Sequence, residues 1–224
     1  MEATVNLEAP LVKPFAQADV GVTFSVAYVF AGPERKNDLR SFLQTWADGF
    51  KDIELRMREI DTVRGEATDH DLSAPKLQEA FIDEVRCARY DATISTPPCN
   101  TFSRVLYANK RGPPPCRSKL YPWGFPWLQG ANLRRINKGN ELMKFNIAVL
   151  NAAASSGTLG LSEHPEDLGA IGNDDPASMW QLPEVRSLEA RGYHTWAILQ
   201  SDFGAATSKP TRFYDNAGSE TRVL

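Results

Sequence analysis

Cys99 is the residue of this 224-residue chain whose surroundings most strongly indicate catalysis. It follows two prolines in the segment 95–103, which reads STPPCNTFS. Because proline fixes the backbone dihedral φ, the loop geometry sets the direction of the cysteine side chain. The polar neighbours are unsuited to the core position that most cysteines occupy. A helix N-terminus nearby and the following Arg104 would favour the thiolate. We therefore predict that Cys99 is a nucleophile.

Two further candidate positions follow predicted strands. Phe30 and Gly32 come at the end of the strand 23–30, where a glycine lets the backbone approach a bound cofactor closely. Glu59 and Asp61 end the next strand, where a carboxylate can accept hydrogen bonds from ribose hydroxyls. An ordinary turn at the glycine and solvated acids at the strand end remain open alternatives.

Glu163 is the candidate acid. It lies in the segment 161–166, which reads LSEHPE and follows an apolar strand. Partial burial raises the pKa of a carboxyl group towards working pH, as a proton donor requires. The three cysteines are an odd number without metal-site spacing, and the three histidines are not paired at ligand spacing. We therefore predict reduced thiols and no metal.

The hydrophobic pattern predicts the elements that position these residues. The predicted strands are 23–30, 53–60, 91–96, 158–162 and 193–199, and the predicted helices are 37–50, one that begins near Pro75, 131–154 and 176–190. Strands that alternate with helices indicate an α/β fold, here a Rossmann-like, doubly wound and mostly parallel sheet with helices on both faces. In such a sheet, ligands bind beyond the carboxyl ends of the strands.

The distribution of charge suggests contact with nucleic acid. The net charge is −3, yet the segment 104–144 holds nine basic residues and one acid. A single basic stretch on an acidic protein is what phosphate binding by one surface requires, although a solvated basic face would have the same composition. The predicted nucleic-acid contacts are Ser103, Arg104, Lys110, Arg111, Arg117, Lys119, Arg134 and Arg135.

The chain divides into an N-terminal arm (1–21), a catalytic domain (22–214) with a proline- and aromatic-rich insertion (106–130), and a C-terminal tail (215–224). Within the insertion, Trp123 and Trp127 either stack on bases or cover the sheet. No run of about 20 apolar residues is present, and the N-terminus lacks the pattern of a secretory signal. We expect a cytoplasmic protein without a membrane partner, or a nuclear one if the host has a nucleus.

Taken in order, these segments resemble the catalytic domain of the cytosine carbon-5 (DNA) methyltransferases over 22–214. The segment 98–103 (PCNTFS) is similar to the family's Pro-Cys-Gln-x-Phe-Ser block, and Phe30-x-Gly32 to the start of its cofactor loop. Glu163 matches the glutamate of the Glu-Asn-Val block, and Arg212 an arginine-bearing block near the end.

The resemblance implies covalent catalysis on a pyrimidine with S-adenosylmethionine as cofactor. Cys99 would add to carbon 6, Glu163 would protonate or hydrogen-bond ring nitrogen 3, and Arg212 would hold the base or the loop that bears the sulfur. The residues that would bind the cofactor are Phe30, Gly32, Glu59, Asp61, Asp71 and Pro98. The substrate implied is nucleic acid, with DNA favoured over RNA.

The chain departs from the family pattern at several blocks. Gly32 is followed by the charged segment 33–36 (PERK), Glu163 by His164, and Arg212 is preceded by Ser208, Lys209 and Pro210. No room remains for a target-recognition domain, so we expect a compact form in which a protein partner supplies recognition. Two alternatives stay open: a pyrimidine-modifying enzyme with another donor, whose phosphate would suit the cations of 33–36, and a non-catalytic nucleic-acid-binding module.

Overall fold

A computed structural model describes residues 21–65, 67–108 and 112–218. The strands are β1 (Val22–Val29), β2 (Ile53–Ile60), β3 (Ala92–Ser95), β4 (Leu159–Pro165), β5 (His194–Leu199) and β6 (Pro210–Asp215). The α-helices are α1 (Leu39–Asp48), α2 (Ala67–His70), α3 (Pro75–Arg86), α4 (Val105–Ala108), α5 (Gly130–Ser156) and α6 (Pro183–Arg186), and short 3₁₀ helices span Met179–Gln181, Ser187–Arg191 and Gln200–Phe203.

The strands form one mixed sheet in the order β2-β1-β3-β4-β6-β5. The four strands β2, β1, β3 and β4 are parallel, whereas β6 runs antiparallel to both of its neighbours. The fold is therefore α/β with a mostly parallel sheet, consistent with a Rossmann-like fold. Because the first four strands are parallel, their carboxyl ends meet at one edge, where ligands of such sheets bind.

Local signals explain where the main helices begin and end. The Asp38 carboxylate accepts the Ser41 backbone N–H at 3.1 Å and caps α1. Pro75 occupies the first turn of α3, where its missing N–H is not needed. The long helix α5 ends at Gly157, which adopts the left-handed conformation with φ of 76°.

One face of the sheet carries the main core. Ala27 and Val29 of β1 belong to an apolar cluster with α3 and α5, which includes Phe81, Phe145 and Val149. A second cluster joins α5 to the end of the chain through Met143, Leu150, Leu182, Tyr193 and Tyr214. The long helix α5 thus belongs to both clusters and links β1 to β6.

The opposite face is contacted by α1, because the Trp46 and Phe24 rings meet edge to face at 5.9 Å between centroids. Beside α1 an apolar cavity of about 580 Å³ remains over the sheet, lined among others by Phe24, Ile94, Leu161 and Trp196.

Most elements agree with the sequence prediction, and those that differ are β6, the short helices α2 and α4, the 3₁₀ helix Gln200–Phe203 and the segment 176–190. All five predicted strands are present, and β2 has the predicted bounds. The strand β6 was not predicted, and the single helix predicted over 176–190 is wrong. It is replaced by two 3₁₀ turns and the four-residue α6 because Pro183 cannot continue a helix from the preceding residues. The N-terminal arm lies outside the described residues except for Gly21. No helix among the described residues is long and apolar enough to cross a bilayer.

Candidate active site

Two neighbouring cavities lie at the carboxyl edge of the parallel strands. The Cys99 cavity has a volume of about 580 Å³ and is lined by Cys99, Glu163 and Lys209, among others. The Asp61 cavity has a volume of about 430 Å³. The side chains of Phe30 and Pro98 line both cavities, so a ligand in one lies next to a ligand in the other. Each cavity is of the size that small-molecule sites have.

The loop that carries Cys99 is held by hydrogen bonds at both ends. At its start, the Thr96 hydroxyl donates to the Phe30 carbonyl at 2.8 Å, which ties β3 to β1. At its end, the Phe102 N–H donates to the Cys99 carbonyl at 2.9 Å and closes a turn. The prolines at 97 and 98 fix the backbone between these bonds. The thiol therefore points into its cavity from a rigid loop, as the sequence predicts for a nucleophile.

The charge environment of Cys99 differs from the expectation. Burial raises the pKa of the Cys99 thiol, the Lys209 ammonium lowers it, and the Glu163 carboxylate raises it further. Arg104 does not contribute, because its guanidinium donates to the Ala170 carbonyl at 2.7 Å. The helix after the loop, α4, is a single turn that begins only at Val105. The prediction that Arg104 and a helix N-terminus stabilise the thiolate is therefore wrong.

Glu163 is paired with Lys209. The Lys209 ammonium lies 3.2 Å from the Glu163 carboxylate, whose side chain is 18% exposed. Glu163 lies near the end of β4 and is paired with Phe213 of β6. Because β6 begins directly after Lys209, this pairing brings the Lys209 side chain close to Glu163. Lys209 is thus the cation that pairs with Glu163 in the Cys99 cavity, which Arg35 also lines.

Arg212 is not brought to either cavity. Alternate side chains of a strand point to opposite faces, so Phe213 lines the Cys99 cavity while Arg212 points away from it. The Arg212 guanidinium instead donates to the Glu166 carboxylate at 2.8 Å and to the Thr195 hydroxyl at 2.8 Å. The role assigned to Arg212 at the base therefore finds no support in its position.

The Asp61 cavity brings together four of the residues predicted to bind a cofactor, namely Phe30, Asp61, Asp71 and Pro98. Asp61 accepts the Gly32 N–H at 3.0 Å. Asp71 accepts both the Ser73 hydroxyl at 2.6 Å and the Ser73 N–H at 3.0 Å. These bonds, with a smaller contribution from the Lys138 charge, lower the pKa of Asp71. Asp71 therefore presents an ionised carboxylate, a hydrogen-bond acceptor, to the cavity.

Glu59 and Gly32 lie outside the Asp61 cavity. The Glu59 carboxylate is buried and pairs with Arg40 at 2.6 Å and with Arg64 at 2.9 Å. Of the two acids that end β2, Asp61 is thus the one that faces the cavity. Gly32 adopts a φ of 69° and lines the Cys99 cavity instead.

Arg64, which is not among the predicted site residues, organises the loop after β1. Its guanidinium donates to the Gly32 carbonyl at 2.6 Å and to the Asp38 carboxylate at 3.4 Å, besides its pair with Glu59. One side chain thus fastens the loop 32–38 to the end of β2. The only signal in the sequence is a cation three residues after Asp61.

Replacing Arg64 by methionine should destabilise the fold. The Arg64 and Glu59 side chains are 11% and 6% exposed, and removing one partner of a buried pair costs about 3–5 kcal/mol. Because Arg40 would still pair with Glu59, we expect the free energy of unfolding to fall by about 2–3 kcal/mol. Urea denaturation measures this change. The matched control is Arg40→Met, which removes the more exposed partner of the same acid and should cost less than about 1 kcal/mol. Equal losses in the two variants would contradict the assignment.

The predicted nucleic-acid residues are scattered. Arg117 is 1% exposed, its guanidinium lies 3.6 Å above the Phe102 ring, and it donates to the Thr101 hydroxyl at 2.7 Å. Burial lowers its pKa to about 9. As a core residue it cannot contact a phosphate strand, so its prediction is wrong.

The other predicted contacts have different surroundings. The Ser103 hydroxyl accepts the Val105 N–H at the start of α4, and Lys119 lies 3.8 Å from the Asp175 carboxylate. Lys110 and Arg111 lie outside the described residues. Arg134 and Arg135 line the Asp61 cavity. The basic segment therefore does not form one continuous surface within the described part of the chain.

The aromatic residues of the insertion form a partly exposed group. The Phe125 and Trp127 rings stack at 4.9 Å with an interplanar angle of 7°, and Trp127 is 63% exposed. Tyr121 contacts both rings edge to face. Trp123 instead is half-buried, with the Lys144 ammonium 5.7 Å from its centroid. Trp127 is thus free to stack on a base, whereas Trp123 packs against the second core cluster.

Among the described residues, no group of three or more histidine, cysteine, aspartate or glutamate side chains is placed to hold a metal ion. In comparisons with known proteins, no protein-family model matches the chain, and no curated protein matches its sequence significantly.

Proposed function

We propose that the chain is an S-adenosylmethionine-dependent methyltransferase-like enzyme that acts on carbon 5 of a pyrimidine in nucleic acid. The observation that carries this proposal is the pair of adjoining cavities. One holds a thiol beside a carboxylate–ammonium pair, and the other holds two carboxylates beside an apolar ring. Phe30 and Pro98 line both, as a donor site next to an acceptor site requires.

The Asp61 cavity suits a nucleoside-type cofactor. Asp61 can accept hydrogen bonds from ribose hydroxyls and Asp71 from an amino group, while Phe30, Leu72 and Leu142 offer apolar contacts to the ring. S-adenosylmethionine bound there would supply an electrophilic methyl group. We propose with it that the sheet is a doubly wound Rossmann-like sheet, which binds its ligands at the carboxyl edge.

The residues of the Cys99 cavity would activate the pyrimidine. The Cys99 sulfur, as the thiolate, forms a bond to carbon 6, and the electron pair of the 5,6 double bond makes carbon 5 nucleophilic. The proton that leaves the Cys99 thiol passes to the Glu163 carboxylate, which holds ring nitrogen 3 and donates this proton to it as the sulfur adds. After methyl transfer, water takes the proton from carbon 5, the double bond re-forms and the Cys99 sulfur leaves as the thiolate. The proton on nitrogen 3 returns through Glu163 to that sulfur. Lys209 orients the Glu163 carboxylate and favours the thiolate.

The substrate we propose is a pyrimidine within a strand, DNA rather than RNA. A base within a duplex must leave the stack at a cost of about a few kcal/mol. The exposed Trp127 ring offers a stacking surface that would offset part of this cost. Because few of the predicted cations in the described part of the chain are free on the surface, a protein partner that supplies target recognition remains part of the proposal. An enzyme of this kind, with free thiols, would work in the cytoplasm or nucleus.

A transfer assay tests the proposal. Labelled S-adenosylmethionine is incubated with the chain and with single-stranded and duplex oligonucleotides that contain cytosine, or uracil in its place. We expect label at carbon 5 of the pyrimidine, identified by nuclease digestion and mass spectrometry. If no oligonucleotide is labelled while S-adenosylhomocysteine binds, the acceptor is wrong; if neither occurs, the methyltransferase proposal is wrong.

A further inference from the structure

Three cations of α5 line the Asp61 cavity, and S-adenosylmethionine does not neutralise them, because its single carboxylate is outweighed by its own ammonium and sulfonium charges. Arg134, Arg135 and Lys138 all line it from the first three turns of the helix. Lys138 lies four residues after Arg134 and three after Arg135, spacings at which like charges repel on a helix surface. No acid occupies the first turn of α5, so the positive end of the helix dipole adds to this repulsion.

These cations are also poorly neutralised within the protein. No salt bridge among the described residues includes Arg134 or Lys138, and the Lys138 charge acts only at longer range on Asp71. Arg135 donates one amino group to the Pro114 carbonyl at 2.6 Å and to the Cys116 sulfur at 2.7 Å. Its buried Nε atom has no hydrogen-bond partner among the described residues. A positively charged cavity wall of this kind fits an anionic group of a ligand.

The rest of the cavity limits what that ligand is. Asp61 and Asp71 present hydrogen-bond acceptors, which suit hydroxyl and amino groups. Phe30, Leu72 and Leu142 present apolar surface, which suits a ring. Neutral donors, a flat ring and an anion occur together in a nucleotide. We propose that the Asp61 cavity holds a nucleotide phosphate, which Arg134 and Lys138 bind.

This inference rests on the proposed function in one respect, the assignment of this cavity to a nucleoside-type ligand. The phosphate has two sources compatible with the cavity. It belongs either to a phosphorylated nucleoside that occupies the cavity, or to the nucleic-acid strand that passes its mouth. Both use the same cations, and binding measurements separate them.

The inference is tested by calorimetric titration of the full chain with three ligands. Two are adenosine and adenosine 5′-diphosphate, which differ only in the phosphates, and the third is a short single-stranded oligonucleotide. If a phosphorylated nucleoside is the source, the diphosphate binds about tenfold or more tightly than adenosine. The variants Arg134→Gln and Lys138→Gln each then reduce this advantage to about threefold or less, with adenosine affinity unchanged. If the strand is the source, the same variants weaken the oligonucleotide and reduce the salt dependence of its affinity.

The matched control is Lys144→Gln. Lys144 is an exposed cation of the same helix, but it lies over Trp123 and does not line the cavity. Lys144→Gln should change neither the affinity for adenosine 5′-diphosphate nor the affinity for the oligonucleotide. Unaltered binding of both the diphosphate and the oligonucleotide in Arg134→Gln and Lys138→Gln overturns the inference.

Titration with S-adenosylhomocysteine separates the two proposals. Phosphate binding that depends on Arg134 and Lys138, with no binding of S-adenosylhomocysteine, would support the phosphate site and reject the methyltransferase. Binding of S-adenosylhomocysteine, together with phosphate binding that neither variant changes, would support the methyltransferase and reject the phosphate site.

Discussion

Replacement of Cys99 by alanine should abolish turnover of the pyrimidine substrate while leaving its affinity nearly unchanged. The sulfur lines the cavity beside Glu163, and the turn of the loop is closed through the Cys99 carbonyl, which the substitution retains. Loss of a covalent nucleophile lowers the rate by about four orders of magnitude or more. Single-turnover methyl transfer and oligonucleotide binding by fluorescence anisotropy measure the two quantities.

The matched control for this substitution is Cys87→Ala. Cys87 is an exposed cysteine just after α3 and lines neither cavity, so its replacement should leave the rate within about twofold of the unmodified chain. Methyl transfer that survives in Cys99→Ala would contradict the covalent mechanism. A chain that binds the oligonucleotide but shows no transfer before or after the change would instead be a binding module.

The second expected result concerns the reactivity of Cys99 towards iodoacetamide. The thiolate is the reactive form, and burial raises the pKa of this thiol, so alkylation should rise with pH to a midpoint above that of an ordinary cysteine. The Glu163 carboxylate raises the pKa of Cys99 and Lys209 lowers it. Glu163→Gln should therefore shift the midpoint down and speed alkylation at neutral pH, whereas Lys209→Met should shift it up and slow alkylation.

The shifts should be measurable. A change of one pKa unit alters the thiolate fraction about tenfold below the midpoint, and we expect changes in rate of about two- to tenfold. The measurement uses a Cys87→Ser background, because that cysteine is exposed, while Cys116 is buried. Glu166→Gln is the control acid: Glu166 pairs with Arg212 and does not line the Cys99 cavity. Shifts of the same sign in Glu163→Gln and Lys209→Met would contradict the electrostatic assignment.

The part of the fold that could be predicted is the part with strong hydrophobic patterns. The strands β1 to β5 are apolar or alternating runs, and α5 carries its buried residues at helical spacing. The strand β6 has neither signal, because it begins with Pro210 and places Arg212 in its centre. It is a strand because it pairs on both sides, with β4 and β5, which is a contact between distant segments.

The loops that form the site could be predicted from the sequence, but the side chains that face the cavities could not. The Pro-Pro-Cys segment and the acids at strand ends could be identified because ligands bind at the carboxyl edge of parallel strands. Which acid faces the ligand depends on local geometry: Glu59 turns to Arg40 and Arg64, and Asp61 to the cavity. The same holds for Lys209, which takes the position expected for Arg212 because of strand alternation.

The basic segment shows why charge counts do not give surfaces. Arg117 is the largest of the fully buried side chains, and its guanidinium donates to the Thr101 hydroxyl and the Pro122 carbonyl and lies over the Phe102 ring. Composition alone does not distinguish it from an exposed cation, although contacts from two parts of the chain, 101–102 and Pro122, hold it in the interior.

Titration calorimetry with S-adenosylhomocysteine tests the central claim most directly. We expect a dissociation constant in the micromolar range for the unmodified chain. Affinity should fall about 30-fold or more in Asp61→Ala and change little in Asp48→Ala, an exposed acid of α1. Absence of binding up to millimolar concentration would contradict the claim that the Asp61 cavity is the cofactor site of a methyltransferase.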